Sequence, residues 1–536
     1  MAALRHLAIL LLLAPAASFL SPTLLRAGGA LRTAGAPGLA HQHPALSPAS
    51  GWRPRQTSTC RSLRAQISEI APFGEGLRVL SLREQRELLE FLQNARDPAA
   101  PFTDSAPSWA ELKTRLAAMQ TAEERVWKDI ALSGRGPATS IAPLRLFDAP
   151  DGMEPRVTLY RDSASWCPYC QKVWLLLEEK RVPYRVEKIN MRCYGAKPDW
   201  FKELNPSGNV PLAKIDGVII SDSNSILAAI EETFTSGYRQ MLPAADSTQA
   251  ARVPGLLKLE RELFNHWMRW LVRETEHGDE MMQTFEALLS AVDAQLATAG
   301  PFFLGAEVSM VDCMFAPFLE RMAASVPYYK GLAVRGNQAW PHLQAWYTAM
   351  DLLPSFRGIQ SDYYTHCHGL PPQIGSCESH PEARALQRAI DGQDGVSWAI
   401  PLPAIDVAAG FQPALIPDET ACREAAARVL ASADALVPFC LRALGASGPC
   451  FGSALADPGN VPDMRFARQM DAALRHVVDT LLSPDHCTRL TSGQLPLEPV
   501  GAGLAYLRER VSVPRDMSWP AARQLRAHLT AVIRAL

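Results

Sequence analysis

The chain nowhere holds about 18 uninterrupted apolar residues, the length a helix needs to cross a bilayer. Its one compact apolar run, at residues 7–13, is too short for that, which points to a soluble mature protein. An excess of either charge is also missing. The 53 Lys and Arg stand against 55 Asp and Glu, a formal net charge of −2, so composition gives no case for nucleic-acid binding. Paired cysteine motifs are scarce too. The 11 Cys are odd in number and irregular in spacing, with a single Cys-x-x-Cys, which argues against a disulfide framework and for a reducing compartment. With 48% apolar and 20% charged residues over 536 positions, the composition is that of a soluble globular protein of two to four domains.

Acidic residues are absent from residues 1–68. The first is Glu69, while the same stretch carries seven Arg and no Lys. Without that stretch, 46 basic residues face the 55 acidic ones, a net −9, so the body is moderately acidic. Acid-free, Arg-bearing sequence rich in Ser, Ala and Pro has the character of a targeting segment. Arg5 and the apolar run form a signal-peptide pattern over residues 1–18, Ala16-Ala17-Ser18 offers small residues for cleavage, and Phe19 opens a transit-like stretch that runs to residue 68. This resembles the bipartite presequence of algae with secondary plastids and implies a chloroplast destination. A signal peptide alone would imply secretion.

The stretch that carries chemistry is Trp166-Cys167-Pro168-Tyr169-Cys170. Before it, Val157-Thr158-Leu159-Tyr160 is β-rich; after it, residues 171–181 are good helix formers ending in basic residues. A Cys at a helix start faces unpaired backbone N–H groups and the positive end of the dipole, which favour a thiolate. Pro168 suits the first helical turn, where its missing N–H is not needed. The bland alternative is a buried pair of small apolar residues. A zinc half-site is a third, with Cys193 the one other Cys nearby and no fourth ligand in sight.

Along the chain, residues 69–150 read as a helical extension. Ser81-Leu82-Arg83-Glu84 is a capping box ahead of Leu88, Leu89, Phe91 and Leu92. Residues 110–132 carry Leu112, Leu116, Met119 and Trp127, with a break near Gln120-Thr121, and are expected to pack on the domain that follows. Residues 154–238 run strand, helix, strand, strand, strand, helix. The second strand is predicted at residues 184–189, a hairpin around Asp216-Gly217, and the closing helix from Ser225. This order is that of the thioredoxin fold. Residues 248–375 are helical throughout, with a long helix predicted over 253–275 and Ser309 capping another, answered by Asp312. Residues 376–536 add helices over 421–444, 463–482 and 521–536, separated by Pro-rich connections.

Several motifs lie in one order across these segments: Lys197-Pro198-Asp199-Trp200-Phe201, then Asn205-Pro206-Ser207-Gly208-Asn209-Val210-Pro211, then Asp222-Ser223 with Ile226. With Cys167 ahead of them, residues 157–234 resemble the N-terminal domain of a glutathione S-transferase, nearest in motif to the Cys-containing omega-type and glutaredoxin-like members. Ser309-Met310-Val311-Asp312 is similar to the folding motif of that family's C-terminal domain. Residues 512–517 resemble the extended tails of its plant and algal plastid members. The resemblance implies an α/β thioredoxin-like N-terminal domain plus an all-α C-terminal domain, with helical extensions at both ends.

It also implies roles. Cys167 would be the catalytic nucleophile, and Cys170, one turn on, could close a disulfide with it. Glutathione would be the cosubstrate, with no metal. Tyr169 would line the cleft, and Lys197 would meet the glycyl carboxylate. Val210, ahead of a cis Pro211, would pair its backbone with the cysteinyl part. Asp222 would take the γ-glutamyl ammonium and Ser223 its carboxylate, although Asp is shorter than the commoner Glu by a methylene. The plain alternatives are a solvated Lys197, a strand-starting Pro211 and a simple helix cap at Asp222-Ser223. Trp267, Trp270, Tyr328 and Tyr329 are candidates for the second substrate's cleft, against ordinary core packing. Tyr363-Tyr364-Thr365-His366-Cys367-His368 could suggest a metal, against histidines at a domain seam.

The implied activity is glutathione-dependent thiol–disulfide exchange, reducing mixed disulfides or related electrophiles such as dehydroascorbate. The alternatives are a non-catalytic ligand-binding or scaffold protein of the plastid, a prostaglandin-E-synthase-like isomerase, and a conjugating transferase using Ser163 or Ser165. The implied partners are glutathione and a disulfide or electrophilic substrate, with no nucleic acid, no stable membrane insertion and a homodimer through the two family domains.

Overall fold

The computed structural model describes residues 100–536, apart from 273–277, 409, 453 and 491–497. The expected targeting segment over residues 1–68 and the expected helix around Ser81 and Leu92 lie outside the described residues. Three helices open the described chain: α1 (Ala100–Ser105), α2 (Trp109–Met119) and α3 (Ala122–Leu132). The break expected near Gln120 falls where Thr121 caps α3. Its hydroxyl accepts from the Glu124 amide, and the Glu124 carboxylate accepts from its backbone N–H.

Strands β1 (Leu144–Arg145), β2 (Val157–Asp162), β3 (Tyr184–Ile189), β4 (Leu212–Ile215) and β5 (Val218–Ser221) form one five-stranded sheet in the order β1-β3-β2-β4-β5. β2 is central and buried at every position but Thr158; it runs parallel to β3 and antiparallel to β4. Helix α4 (Pro168–Lys180) makes the crossover from β2 to β3. The predicted hairpin is present, with Ile215 opposite Val218. Asp216 and Gly217 both take positive φ, +49° and +87°, the backbone a two-residue turn needs to match strand twist. Helices α5 (Asp199–Leu204) and α6 (Ser223–Thr233) complete this thioredoxin-like layer. β1 is an addition: the sequence places the start of this domain at residue 154, and a two-residue strand is too short to show alternation.

The second layer is helical: α7 (Thr248–Val272), α8 (Gly278–Ala297), α9 (Met310–Lys330), α10 (Pro341–Leu352), α11 (Pro354–Arg357), α12 (Tyr363–Ile374) and α13 (Arg384–Ile390). Every residue of α9 is buried, and α4 packs against it with all its residues but Glu179 buried. The start of α9 is held by Asp312, which is fully buried. Its carboxylate accepts from the Ser309 amide (2.8 Å), the Ser309 hydroxyl (2.6 Å), the Phe303 amide (3.1 Å) and Trp346 Nε1 (2.9 Å).

Helices α14 (Asp418–Leu441), α15 (Ala467–Leu482), α16 (Glu498–Arg510) and α17 (Trp519–Ala535) follow. Here one expectation is corrected. The helices before the sheet pack on this C-terminal group and not on the domain that follows them in sequence. Phe102, Leu112 and Leu116 share a core with Val429, Leu474, Val477 and Leu525. Arg115 pairs with Asp479, Arg423 with Glu124, and Trp109 Nε1 donates to Asp471. The apolar stripe of α2 matches one made by helices more than 300 residues later, such as that of α15 (|i−j| = 362 for the Trp109 bond), which is a pairing no local pattern encodes. Among the described residues no helix is long and apolar enough to cross a membrane.

The sheet edge is fixed to α4 by a buried ion pair. Arg145 donates from Nε and Nη2 to the two oxygens of Glu178, each at 2.8 Å, and the Tyr184 hydroxyl donates to the same carboxylate at 2.6 Å. Replacing Arg145 alone leaves a buried carboxylate with one of its three hydrogen bonds, that from Tyr184. Arg145→Met should therefore lower the stability seen in urea unfolding by ~3–5 kcal/mol, and Glu178→Leu added to it should restore much of the loss.

Candidate active site

β2 ends at Asp162, and the chain must turn sharply to enter α4. One carboxylate oxygen of Asp162 accepts from the Trp166 amide at 2.6 Å, which closes the loop, while Ser165 sits at positive φ (+61°). Cys167 is then the N-cap of α4, with Pro168 in the first turn. Its Sγ lies 3.7 Å from the Val210 carbonyl, and the residue is 5% exposed. Cys170, one turn on, is 1% exposed. Burial pushes its thiol well above the ordinary range, and the hydrogen bond to Cys167 and that group's charge push it further. The two sulfurs are thus placed differently, Cys167 at the helix cap and Cys170 inside the helix.

On the side towards the helical layer, Tyr169 meets Phe264 and Phe318 edge-on, with ring centroids 6.3 and 5.8 Å away. Burial raises its phenol to about 12. Beside it Lys172 is fully buried, its Nζ 3.4 Å from the Asn224 carbonyl oxygen and 5.3 and 5.2 Å from the Tyr169 and Phe318 ring centres. Burial brings this amine from 10.5 down to about 8, against the pull of the nearby Glu260 carboxylate. Arg261 packs over Phe264 and shares Glu260.

Beneath the loop runs a chain of buried polar groups. Arg321 of α9, 1% exposed, donates to the Trp166 carbonyl (2.8 Å), to Gln171 Oε1 (2.6 Å) and to the Pro317 carbonyl (2.7 Å). Gln171 Nε2 donates to Glu320 (2.6 Å), whose other oxygen accepts from the Ser361 amide (2.6 Å) and meets His366 Nε2 (2.8 Å). Burial alone would raise Glu320, but His366 and Arg321 outweigh it and hold the carboxylate below its usual range. Burial lowers the His366 imidazole. The C-terminal segment closes the other side. Trp166 Nε1 donates to the Ser512 hydroxyl at 2.9 Å, Ser361 Oγ to the Val513 carbonyl at 2.5 Å, and Ala454 and Leu455 pack on the Trp166 ring.

The residues singled out from sequence fall as follows. Val210 is brought against Cys167, and the Val210–Pro211 bond is cis. Asp222 caps α6 at positive φ (+73°), accepting from the Asn224 and Ser225 amides at 2.8 and 3.2 Å. Ser223 is 2% exposed and its hydroxyl has no hydrogen-bond partner among the described residues. Lys197 donates to the Gly208 carbonyl, and burial pulls its amine down. Trp267, Trp270, Tyr328 and Tyr329 all go to the core: Trp267 Nε1 donates to Ser325, the Tyr328 hydroxyl to Asp391 and the Tyr329 hydroxyl to the Cys367 carbonyl. Phe264 and Phe318 take the place beside the motif. His366 and His368 go to Glu320 and Asp391, and no group of three metal-ligating side chains occurs among the described residues. Asp162, Lys172, Arg261 and Arg321 were not legible as site residues. Asp162, Lys172 and Arg321 are charged residues that only the tertiary fold buries, and Arg261 is half-buried by it.

Lys172 gives a pH signature. Below about pH 8 the folded and unfolded chains both carry its proton, and the full cost of a buried ammonium is present. Between about 8 and 10.5 the unfolded chain binds a proton the folded one lacks, so stability rises with pH. Lys172→Met should thus gain ~2–3 kcal/mol over the wild type at pH 7, with the gain shrinking by pH 9.5. A melting-temperature difference that stays constant between those two pH values would rule out the buried amine.

Comparison with known proteins places these segments. Residues 166–233 match the family model described as glutathione S-transferase, N-terminal domain, and residues 275–349 match glutathione S-transferase, C-terminal domain. The Arabidopsis thaliana protein named glutathione S-transferase DHAR3, chloroplastic, is 31% identical over 168 residues, which is 31% of this chain and 59% of that protein. Glutathione S-transferase DHAR2 of the same plant is 31% identical over 170 residues, 31% of this chain and 72% of its own length. Glutathione S-transferase omega-1 of Sus scrofa is 28% identical over 182 residues, 33% of this chain and 72% of that protein. A Trametes versicolor glutathione transferase Omega 3C structure aligns with a TM-score of 0.34 at 27% identity, covering 39% of this chain and 91% of that one. The two domain matches and the identity shared with DHAR2 make the chain a member of the glutathione S-transferase family.

Proposed function

We propose that the chain is a glutathione-dependent thiol–disulfide oxidoreductase in which Cys167 is the nucleophile. The observation that carries this is the placement of the two sulfurs: Cys167 caps a helix beside the Val210 carbonyl, and Cys170 is buried one turn further into that helix. The Cys167 thiolate attacks the glutathione sulfur of a mixed disulfide. A new S–S bond joins Cys167 to glutathione, the old one breaks, and the substrate sulfur leaves with the electron pair and takes a proton from water. A second glutathione, as thiolate, attacks that bound glutathione sulfur, releases glutathione disulfide and restores the Cys167 thiolate. One mixed disulfide and one glutathione thus become one thiol and one glutathione disulfide. Cys170 is an internal substitute for the second glutathione, but its proton must first leave a buried site, so glutathione is the faster resolver. Dehydroascorbate is a related electrophile for the same sulfur.

The residues fit glutathione. Ser223 offers a buried hydroxyl in need of a partner, at the N-terminus of α6, where a carboxylate is favoured. Asp222 beside it takes the γ-glutamyl ammonium, Val210 offers backbone to the cysteinyl part, Lys197 reaches the glycyl carboxylate, and Tyr169 walls the cleft. We also assign the protein to a plastid, on the acid-free, Arg-bearing residues 1–68 and a relative named as chloroplastic.

With a glutathionylated peptide as substrate, Cys167→Ser should lose turnover by more than ~100-fold, and Cys170→Ser should keep at least about a tenth of it. Ser223→Ala should raise the KM for glutathione ~10–150-fold with kcat little changed, as loss of one hydrogen bond to a charged group does. Undiminished turnover in Cys167→Ser would remove the nucleophile assignment. Residues 1–68 fused ahead of a fluorescent protein should carry it into the plastid of an alga with secondary plastids; secretion of the fusion would refute the address.

A further inference from the structure

A cavity of about 220 Å³ lies well outside the segments that match the family, lined entirely by residues 362–526. Its walls come from the start of α12, the end of α13, the connection that follows it and the face of α17. Tyr363, Tyr364, Trp398, Phe411 and Trp519 line it, so its sides are largely aromatic faces. These rings are held in place. The Tyr363 hydroxyl donates to the Gly410 carbonyl at 2.7 Å and its ring stacks with Phe411, while Tyr364 lies against Trp398 at 5.7 Å between centroids. Gly392 makes room for Trp398: a Cβ there would stand 2.0 Å from the indole.

The wall also carries Asp362, Ser397, Asp406, Gln412, Arg523 and Arg526, and these polar groups are unevenly satisfied. Arg526, 1% exposed, pairs with Asp362 and donates to the Val511 carbonyl (2.9 Å), so its charge is spent, yet its Nε is buried without a partner. Gln412, 6% exposed, donates to the Ser361 carbonyl (3.1 Å) while its Oε1 is buried without a partner. Arg523 donates to the Pro403 carbonyl at 2.7 Å and makes no ion pair among the described residues. This half-buried guanidinium meets the charge of Asp418 only at a distance; on a wall of aromatic faces whose Asp362 is already held by Arg526, and which also carries Asp406, it is a place for an anion. Uncompensated buried donors and acceptors cost free energy that a ligand with a polar edge recovers.

Size narrows the choice. A cavity of about 150 Å³ takes one benzene ring, so 220 Å³ admits about two fused rings. We propose that this cavity binds a planar bicyclic aromatic carboxylate bearing a ring N–H. Its rings lie among Tyr364, Trp398 and Trp519, its carboxylate meets Arg523, and its N–H is turned towards the Gln412 side of the wall.

Calorimetric titration of the full chain tests this with indole-3-carboxylate as probe and indole-3-methanol as the uncharged control. The carboxylate should bind with a Kd of roughly 10–100 µM, given its dozen heavy atoms. S-Methylglutathione at saturation should leave that value unchanged. Ala404, exposed on the rim, can be enlarged without touching the core, and Ala404→Trp should weaken both probes at least tenfold while the melting temperature holds. Arg523→Gln should weaken the carboxylate about tenfold and the methanol not at all. No binding to the wild type up to 1 mM would overturn the site. So would binding that S-methylglutathione abolishes and Ala404→Trp spares, because the probe would then be beside Cys167. Equal weakening of the two probes by Arg523→Gln would overturn the anion assignment.

Discussion

A guanidinium cannot be left without partners inside a protein, and Arg321 is where this constraint acts on the whole molecule. It sits on the wholly buried α9, and its partners are the Trp166 carbonyl and Gln171, on either side of the cysteine pair. The position of the Cys167 loop is therefore set by a helix of the other layer. Glu320, next to Arg321, extends the same bonding to His366 and Ser361, so the seam between the layers is a continuous polar path flanked by apolar packing. A path in which every carboxylate is answered fixes one arrangement of the two layers, where apolar packing alone would admit several.

Much of the fold could be read from the residues because local rules and tertiary demands agree. Asp216-Gly217 needs two positive φ angles, and only such a dipeptide supplies them cheaply; Thr121 and Glu124 announce a helix start by chemistry alone. The cysteine motif at a strand-to-helix junction was legible for the same reason. What stayed hidden depends on packing. Phe264 and Trp267 are three residues apart and share nearly one face of α7, so periodicity cannot say which one meets Tyr169. Lys172 and Arg321 have the composition of solvated helix positions, and only the neighbouring layer makes them buried. The partner of α2 was illegible because an amphipathic stripe declares that something covers it, without naming what.

The added helices are more than an appendage. Ser512 and Leu455 close over Trp166, the residue before Cys167, and α17 anchors this closure through Arg526 to Asp362, the N-cap of α12. The same arrangement leaves space between α12, α13 and α17, so one extension both braces the thiol's loop and creates the aromatic cavity. Ser361 is common to both: its carbonyl accepts from Gln412 of the cavity wall, and its hydroxyl donates to Val513.

The bond from Trp166 to Ser512 spans 346 positions of sequence. A ribosome making this chain releases the cysteine motif, the sheet and the helical layer long before it has made the segment that closes over Trp166. Until the last helices emerge, the indole face of the thiol's loop is open to water and its ring nitrogen lacks the Ser512 hydroxyl. The finished surroundings of the sulfur therefore wait on residues made long after it, and a chain cut short before Ser512 by translation or proteolysis carries its cysteines in an unfinished setting.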